Sequence, residues 1–146
     1  MSYLVDDVIS AVASMSVAGI TAKYNTDLKS SVETAFMPYR FITHRNAGAS
    51  TGEYDRDTLN GPHYIASFRI TDICLFRAVA QGINEGTISG AIYNYMNEYL
   101  AAVRSIATDK YMVVACDLES DLYEYPISSG KYYDTVIASV TIGLVN

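Results

Sequence analysis

Apolar residues recur at helical spacing in two parts of the chain. Between residues 5 and 15 this spacing predicts an amphipathic helix of roughly ten residues that ends before Gly19. A longer stripe over 88–107 predicts the main helix, and such a stripe typically packs across a sheet. A short helical turn is also predicted over 27–36, where Pro38 ends it. The stripe of the main helix consists of Ile88, Ile92, Met96, Tyr99, Val103 and Ile106.

Elsewhere the apolar residues alternate with polar ones, which is typical of β-strands. The predicted strands are 39–45, 63–76, 111–118 and 131–145, with a shorter one at 20–24. Within 63–76 the alternation slips at Asp72, so we expect a β-bulge at Thr71–Asp72, where one extra residue inverts the facing of the strand.

Residues 46–62 interrupt every periodic pattern, and 17 residues form a long loop for so short a chain. Loops of this length are commonly functional or disordered, so we predict an exposed loop or assembly arm. Consecutive strands after the main helix favour a mainly antiparallel sheet. The sequence therefore predicts a single α+β domain over 1–146, with one long helix and one or two short helices packed on one face of the sheet.

Composition places the chain among globular proteins and argues against two kinds of partner. Half of the residues are apolar and 18% are charged, which is outside the composition of disordered chains. The 16 acidic residues exceed the 10 basic ones, and this net charge of −6 argues against a dedicated nucleic-acid binder. We find no apolar run that could span a bilayer and no secretory signal, so we expect a cytosolic origin.

Motifs for catalysis or cofactor binding are not apparent, so we predict no enzyme activity and no cofactor. An alternative left open is a general base formed by His63 with Asp72 as its carboxylate partner. An active site of this kind would also have to gather His44 and Asp117. Isolated histidines at strand ends are more typical of the protein surface.

Pairs of acidic residues are the candidates for metal binding. Asp55 with Asp57, or Asp117 with Asp121, could bind a hard cation, but neither pair lies in a recognised loop with enough oxygen ligands. We predict solvated carboxylates and no metal site.

The cysteines and tyrosines indicate packing rather than chemistry. Cys74 and Cys116 lie in apolar strand patterns, and we predict buried, reduced thiols rather than a disulfide. Eight of the 13 tyrosines fall between Tyr93 and Tyr133. Tyrosine suits both half-buried sheet faces and protein interfaces, and the sequence leaves both interpretations open.

Four segments in order give the chain a resemblance to a known family. They are "MPYRFITHR" from Met37, "HYIASFRITDICLF" from His63, "YNYMNEYLAAVRSIA" from Tyr93 and "LYEYPISSGKYYDTVIASVTIGLV" from Leu122. This layout resembles the small tail terminator and tail-completion (neck) proteins of long-tailed bacteriophages. In that family the last strand follows an aromatic and glycine turn, which is matched here by Tyr125, Gly130, Tyr132 and Tyr133.

The resemblance implies a structural protein of the virion that is assembled in the bacterial cytoplasm. Such proteins form a homo-oligomeric ring, usually a hexamer, that caps the tail tube and joins it to the head connector or stopper protein. DNA passes through the lumen without specific binding, and the family has no catalytic residues, cofactor or membrane partner. The alternatives are a head-completion or connector neck protein, a small non-viral adaptor that binds other proteins, and an enzyme with an unrecognised site.

Ring closure requires two different patches on each subunit, and we expect them in the loop 46–62 and the turn 119–130. The candidate assembly residues are Arg45, Glu53, Asp55, Arg56, Asp57, Tyr123, Tyr125 and Tyr132.

Overall fold

Four antiparallel strands form one sheet in the order β1-β2-β4-β3. The computed structural model describes residues 5–22, 38–51, 66–78, 85–125 and 128–144. Their fold confirms the prediction of an α+β class with a mainly antiparallel sheet. In chain order, the elements are α1 (Val5–Ser14), β1 (Tyr39–Thr51), β2 (Ala66–Ala78), α2 (Glu85–Val103), a short 3-10 helix (Arg104–Ile106), β3 (Tyr111–Glu124) and β4 (Tyr132–Leu144).

The two main helices confirm their predictions, and the short segments between α1 and β1 differ from theirs. After α1, Val17 and Ile20 form an isolated bridge around a tight turn in which Ala18 (φ 52°) and Gly19 (φ 78°) are left-handed. Residues 20–22 therefore do not start a strand, because this turn pairs Ile20 with Val17. The rest of the predicted strand 20–24 and the predicted helical turn 27–36 lie outside the described residues.

Two predicted loops begin as strands. β1 continues to Thr51 after a register shift between Thr43 and Gly48, so the first six residues of the predicted loop 46–62 belong to a strand, and four of them, Gly48 to Thr51, pair with β2. The remainder of that loop lies outside the described residues. β3 continues to Glu124, so the predicted bend at 119–130 starts only after it. In both cases hydrogen bonds to a neighbouring strand hold polar residues that have no apolar pattern of their own.

The bulge predicted at Thr71–Asp72 is wrong. β2 pairs with β4 without interruption through both residues, and that register shifts only between Leu75 and Arg77. The shift against β1 opposite Thr71 and Arg69 places its extra residues in β1, between Thr43 and Gly48. The alternation of the sequence blurs there because both faces of β2 are buried over this stretch. A strand covered on both faces does not need to alternate apolar with polar residues.

One face of the sheet, the helix face, carries α1 and α2. Most of the apolar side chains buried beneath them are aliphatic, and α2 adds two buried tyrosines, Tyr95 and Tyr99. Tyr95 was not part of the predicted stripe, whereas Ile92, Tyr99 and Val103 are buried as expected. The sheet contributes to this core its residues Ile70, Cys74, Val136, Ala138, Val140, Ile142 and Leu144.

The opposite face, here called the second face, has an aromatic cluster of its own. Its buried members are Tyr39, Phe41, Ile73, Leu75 and Tyr133, and Tyr123 and Tyr125 pack against them. In a flat sheet of four strands the first and last strands would be about 14 Å apart. The ring centroid of Phe41 in β1 nevertheless lies 6.3 Å from that of Tyr123 in β3 and 5.2 Å from that of Tyr125. The sheet therefore curves around the second face and brings its two edge strands together.

Candidate functional site

The structure brings three of the predicted assembly residues together at the rim of the aromatic cluster. Arg45 donates a hydrogen bond from Nη1 to the Tyr123 hydroxyl at 3.2 Å, and its Cζ lies 5.9 Å from the centroid of the Tyr123 ring. Tyr125 lies beside them, with its ring centroid 6.5 Å from that of Tyr39. Arg45, Tyr123 and Tyr125 are all half-buried, so each keeps part of its surface accessible.

Tyr132 does not join this group. It pairs across β3–β4 with Glu124, whereas its neighbour Tyr133 pairs with Tyr123. Since successive residues of a strand point to opposite faces, Tyr132 lies on the helix-face side and is 49% exposed. The remaining candidates Glu53, Asp55, Arg56 and Asp57 lie outside the described residues.

The turn after β3 is organised by one carboxylate. Glu124 accepts hydrogen bonds from the backbone N–H groups of Ser128 at 2.9 Å and Gly130 at 3.1 Å. These bonds, that of Ser128 first, lower the pKa of Glu124 because they favour its ionised form. Ser128 (φ 64°) and Gly130 (φ 75°) are both left-handed, and the Tyr125 N–H donates to the Lys131 carbonyl at 3.0 Å. The tip next to the aromatic cluster therefore has a defined shape.

A fully buried ion pair lies on the helix face of the sheet. Arg40 in β1 and Asp72 in β2 have no exposed side-chain surface, and Arg40 Nη2 lies 2.6 Å from Asp72 Oδ2. Arg40 Nε donates to both carboxylate oxygens at 3.0 Å, and the Tyr99 hydroxyl donates to Oδ2 at 2.7 Å. The Arg40 Cζ also lies 5.6 Å from the centroid of the Tyr99 ring.

The same guanidinium binds the carboxyl end of α1. Arg40 donates to the carbonyl oxygens of Met15 at 2.6 Å and Ile20 at 3.0 Å through Nη1, and of Val12 at 2.8 Å through Nη2. The last carbonyls of a helix have no partners within it and carry partial negative charge. Because α1 has no basic residue in its last turn, the sheet supplies the cation instead. Arg40 therefore joins α1, β1 and β2 at one point.

Burial and pairing oppose each other in this network. Burial raises the pKa of the Asp72 carboxyl, and the hydrogen bonds and charge of Arg40, together with the Tyr99 hydroxyl, only partly offset that effect. Burial alone would lower the pKa of Arg40, but its bonds to Asp72 raise it above its ordinary value. Burial, followed by the charge of Asp72, raises the pKa of Tyr99, so its hydroxyl stays a donor.

Sequence reasoning missed this network and treated Asp72 as a bulge or a catalytic partner. The available signal was Arg40 in one strand and Asp72 in the next, two charges of opposite sign at positions that alternation places on the helix face. The missing information was that β1 and β2 are adjacent with Arg40 opposite Cys74 and Ile42 opposite Asp72, which only the register gives.

The carboxylates considered for chemistry do not converge. Asp72 lies on the helix face, whereas Asp117 is opposite Ser139 on the second face. Asp117 and Asp121 share one face of β3 but are about 13 Å apart along the strand, too far for one cation. His44 is exposed, and His63 lies outside the described residues. Among the described residues, no group of three or more potential ligands could hold a metal ion.

A shallow polar recess of about 500 Å³ lies between Arg69 of β2 and the acidic side chains of β3. Arg69 is held there by a bond from its Nε to the Asn46 carbonyl at 2.7 Å. The recess combines one cation with the carboxylates of Asp117 and Glu119 and with Ser139, which lies opposite Asp117. It offers polar contacts of both charges.

Cys74 is buried as predicted, whereas Cys116 is only half-buried, and the two thiols are not joined to each other. Burial raises the pKa of the Cys74 thiol to about 12 and that of the half-buried Cys116 thiol to about 11. Both therefore behave as inert apolar side chains at neutral pH.

Comparisons with known proteins add no relative. A scan against protein-family models and a search of curated proteins found no match to this sequence. In the part of the chain that the structure describes, neither helix is long and apolar enough to cross a membrane.

Proposed function

We propose that this chain is a structural protein of a tailed bacteriophage, most specifically the tail terminator, whose ring caps the tail tube and joins it to the head connector. The proposal starts from the resemblance of its sequence segments to that family. The observed α+β fold, with an antiparallel sheet, helices on one face and a closing β3–β4 hairpin, agrees with the fold that the resemblance implies.

The observation that carries the proposal is the group of Arg45, Tyr123 and Tyr125 at the edge of the aromatic cluster, here called the aromatic rim. Arg45 and Tyr123 come from strands at opposite edges of the sheet and from positions 78 residues apart, yet they are joined by a hydrogen bond. Tyrosine and arginine are enriched in protein interfaces, because they offer large contact areas with polar tips. The rim therefore provides a rigid patch next to a turn with a defined shape.

The charge of the chain suits a ring that surrounds DNA without gripping it. With a net charge of −6 the protein repels a polyanion, which favours passage over binding. Asp117, Glu119 and Asp121 form an exposed acidic row on β3. We assign contacts with neighbouring subunits or the tube to the rim, and no catalytic role to any residue.

Measuring the mass of the protein in solution and imaging the same sample by negative stain tests this proposal. We expect closed rings of about six chains of 16.0 kDa, formed alone or on the ends of tail tubes. Arg45→Glu reverses the charge of the rim and should abolish the rings. Lys110→Glu makes the same change at an exposed site outside the rim and should leave them intact.

A chain that stays monomeric both alone and on tail tubes would contradict the assignment to a ring-forming neck protein. If rings form in Arg45→Glu as well as in Lys110→Glu, the proposal of a ring stands, but the aromatic rim is not part of the interface between its subunits.

A further inference from the structure

α2 carries a second heptad pattern on the side that faces away from the sheet. Gly90, Tyr93, Asn97 and Leu100 follow one another at intervals of three and four residues, and Arg104, the first residue of the 3-10 helix, continues the spacing. All five are exposed. This spacing is that of the a and d positions of a coiled-coil seam. The inner seam of α2 packs into the core, whereas the outer seam is exposed in the part of the chain that the structure describes.

The outer seam carries two exposed apolar side chains and no charge before Arg104, in an acidic protein. Tyr93 is 72% and Leu100 44% exposed, and they are two of the five large apolar side chains that are exposed among the described residues. From Ser89 to Ala101, a stretch that the structure describes completely, no exposed residue is charged. Two copies with a net charge of −6 repel each other, and an uncharged face is where they can approach at least cost.

Gly90 gives an independent reason to expect a close neighbour. Glycine inside a helix costs about 1 kcal/mol relative to alanine. A Cβ atom added at Gly90 would meet nothing within 4 Å, so contacts within the chain do not require glycine there. A large side chain from a second molecule would require it.

We propose that the outer face of α2 packs against the same face of α2 in a second copy of this chain, with the helices antiparallel and the two-fold axis at Asn97. This register places each Asn97 beside its equivalent and each Tyr93 beside the partner's Leu100 and Ala101. It also places Gly90 opposite the partner's Arg104, so that the smallest residue of the seam receives the longest.

Charge and hydrogen bonding select the antiparallel orientation. In a parallel pair each Arg104 would face a second Arg104, whereas the antiparallel pair separates them to opposite ends. Antiparallel helices also align their dipoles favourably. The Asn97 amide is both donor and acceptor, so two copies can satisfy each other on the axis, and a polar residue at such a position fixes the register of a helix pair.

The contact is small, and this sets its strength. The seam is about 20 Å long and a helix about 10 Å wide, so a single helix pair buries well below the ~1,200 Å² of stable interfaces. The dimer should therefore form at roughly micromolar to sub-millimolar concentrations.

The inference goes beyond the proposed function and does not rest on it. Ring closure joins two different patches, whereas this contact joins one patch to itself. Either can therefore fail while the other holds.

Sedimentation equilibrium over a range of protein concentrations tests the contact. We expect the wild-type chain to show a monomer–dimer step that is lost, with at least a tenfold weaker association, in Leu100→Glu. The matched control is Leu122→Glu, which places the same charge at an exposed leucine of β3 (55% exposed) and should leave the step unchanged. Far-UV circular dichroism verifies that both variants are folded.

Gly90→Ala tests the close approach at the end of the seam. It should make the monomer more stable to heat and the dimer weaker. Dimers that persist in Leu100→Glu, or a wild-type chain that remains monomeric at about 1 mM, would overturn the proposal, since that concentration exceeds the range expected for a contact of this size.

Disulfide trapping tests the orientation in a Cys116→Ser background. Asn97→Cys lies on the axis and should cross-link to itself under mild oxidation. Tyr93→Cys should cross-link to Leu100→Cys when the two variants are mixed, and far less to itself. If Tyr93→Cys links mainly to itself, the helices are parallel and the proposed register is wrong.

Discussion

Removing Arg40 should destabilise this protein more than any other single change in charge. In Arg40→Met the Asp72 carboxylate stays fully buried and keeps only the Tyr99 hydroxyl as a donor. Breaking a buried pair by removing one partner costs about 3–5 kcal/mol. The Val12 and Met15 carbonyls also lose the Arg40 donor, at about 1–3 kcal/mol for each one that stays buried and unpaired, whereas the Ile20 carbonyl keeps the Val17 N–H at 3.0 Å.

Local relaxation of α1 will admit water to some of these carbonyls, so we expect a total loss of about 4–6 kcal/mol. That is comparable to the whole stability of a domain, which is about 5–15 kcal/mol. The variant should therefore unfold at low denaturant concentration, and α1 should lose its amide protection first.

A double variant separates the two contributions. Arg40→Met with Asp72→Leu removes both charges, and an apolar replacement of a buried pair is often neutral. The carbonyls of Val12 and Met15 remain without the Arg40 donor, so the double variant should recover part of the loss and stay less stable than the wild type.

Urea denaturation followed by circular dichroism measures these free energies of unfolding, and hydrogen exchange reports on α1. The matched control is Arg77→Met, because the Arg77–Asp134 pair has a similar N–O distance of 2.7 Å but is partly exposed. It should cost no more than about 1 kcal/mol. If Arg40→Met costs as little as Arg77→Met, or leaves the protection of α1 unchanged, the role assigned to Arg40 is wrong.

Three further outcomes follow from the structure. Val140→Ala and Ile92→Ala truncate buried side chains of the helix face. Each should lower the free energy of unfolding measured in urea by about 2–4 kcal/mol, and near-zero effects at both would contradict the assigned core. Thr71→Val should be neutral or stabilising by thermal denaturation, because the buried Thr71 Oγ1 has no hydrogen-bond partner to lose; a loss above about 2 kcal/mol would mean that this hydroxyl is bonded. The pKa of Glu124 in the folded chain lies below its ordinary value of 4.5. The ionised carboxylate should therefore stabilise the turn fully above pH 4.5, and this stabilisation should be lost as the pH falls through the lower pKa of the folded chain. An NMR titration should give the Glu124 carboxyl and the Ser128 amide a common midpoint below 4.5, and separate midpoints would show that the bond is absent.

Local patterns were sufficient for the elements of this fold. The apolar spacing in α1 and α2 and the alternation in β1 and β4 arise from contacts that each segment makes through its own periodic face. Strand ends were less predictable, as in β3, where 119–124 is polar and is held in the sheet by pairing with β4. The bulge at Thr71–Asp72 was wrongly predicted because β2 is buried on both faces there, and such a strand does not need to alternate.

The candidate assembly residues were predictable as types but not as a patch. Tyrosine density and the glycine turn singled out Tyr123, Tyr125 and Tyr132 from the sequence. Whether they share a surface depends on strand facing, which separates Tyr132, and on the curvature of the sheet, which brings Arg45 to Tyr123.

The sequence by itself therefore determined the α+β class, the order of the main elements and the acidic character, because these depend on composition and on neighbours along the chain. Only the tertiary structure decided that Arg40 and Asp72 are a buried pair closing the end of α1, and that the second face holds an aromatic cluster. Both depend on which strands are adjacent and in what register, and residues 32 or more positions apart leave no periodic trace of that in the sequence.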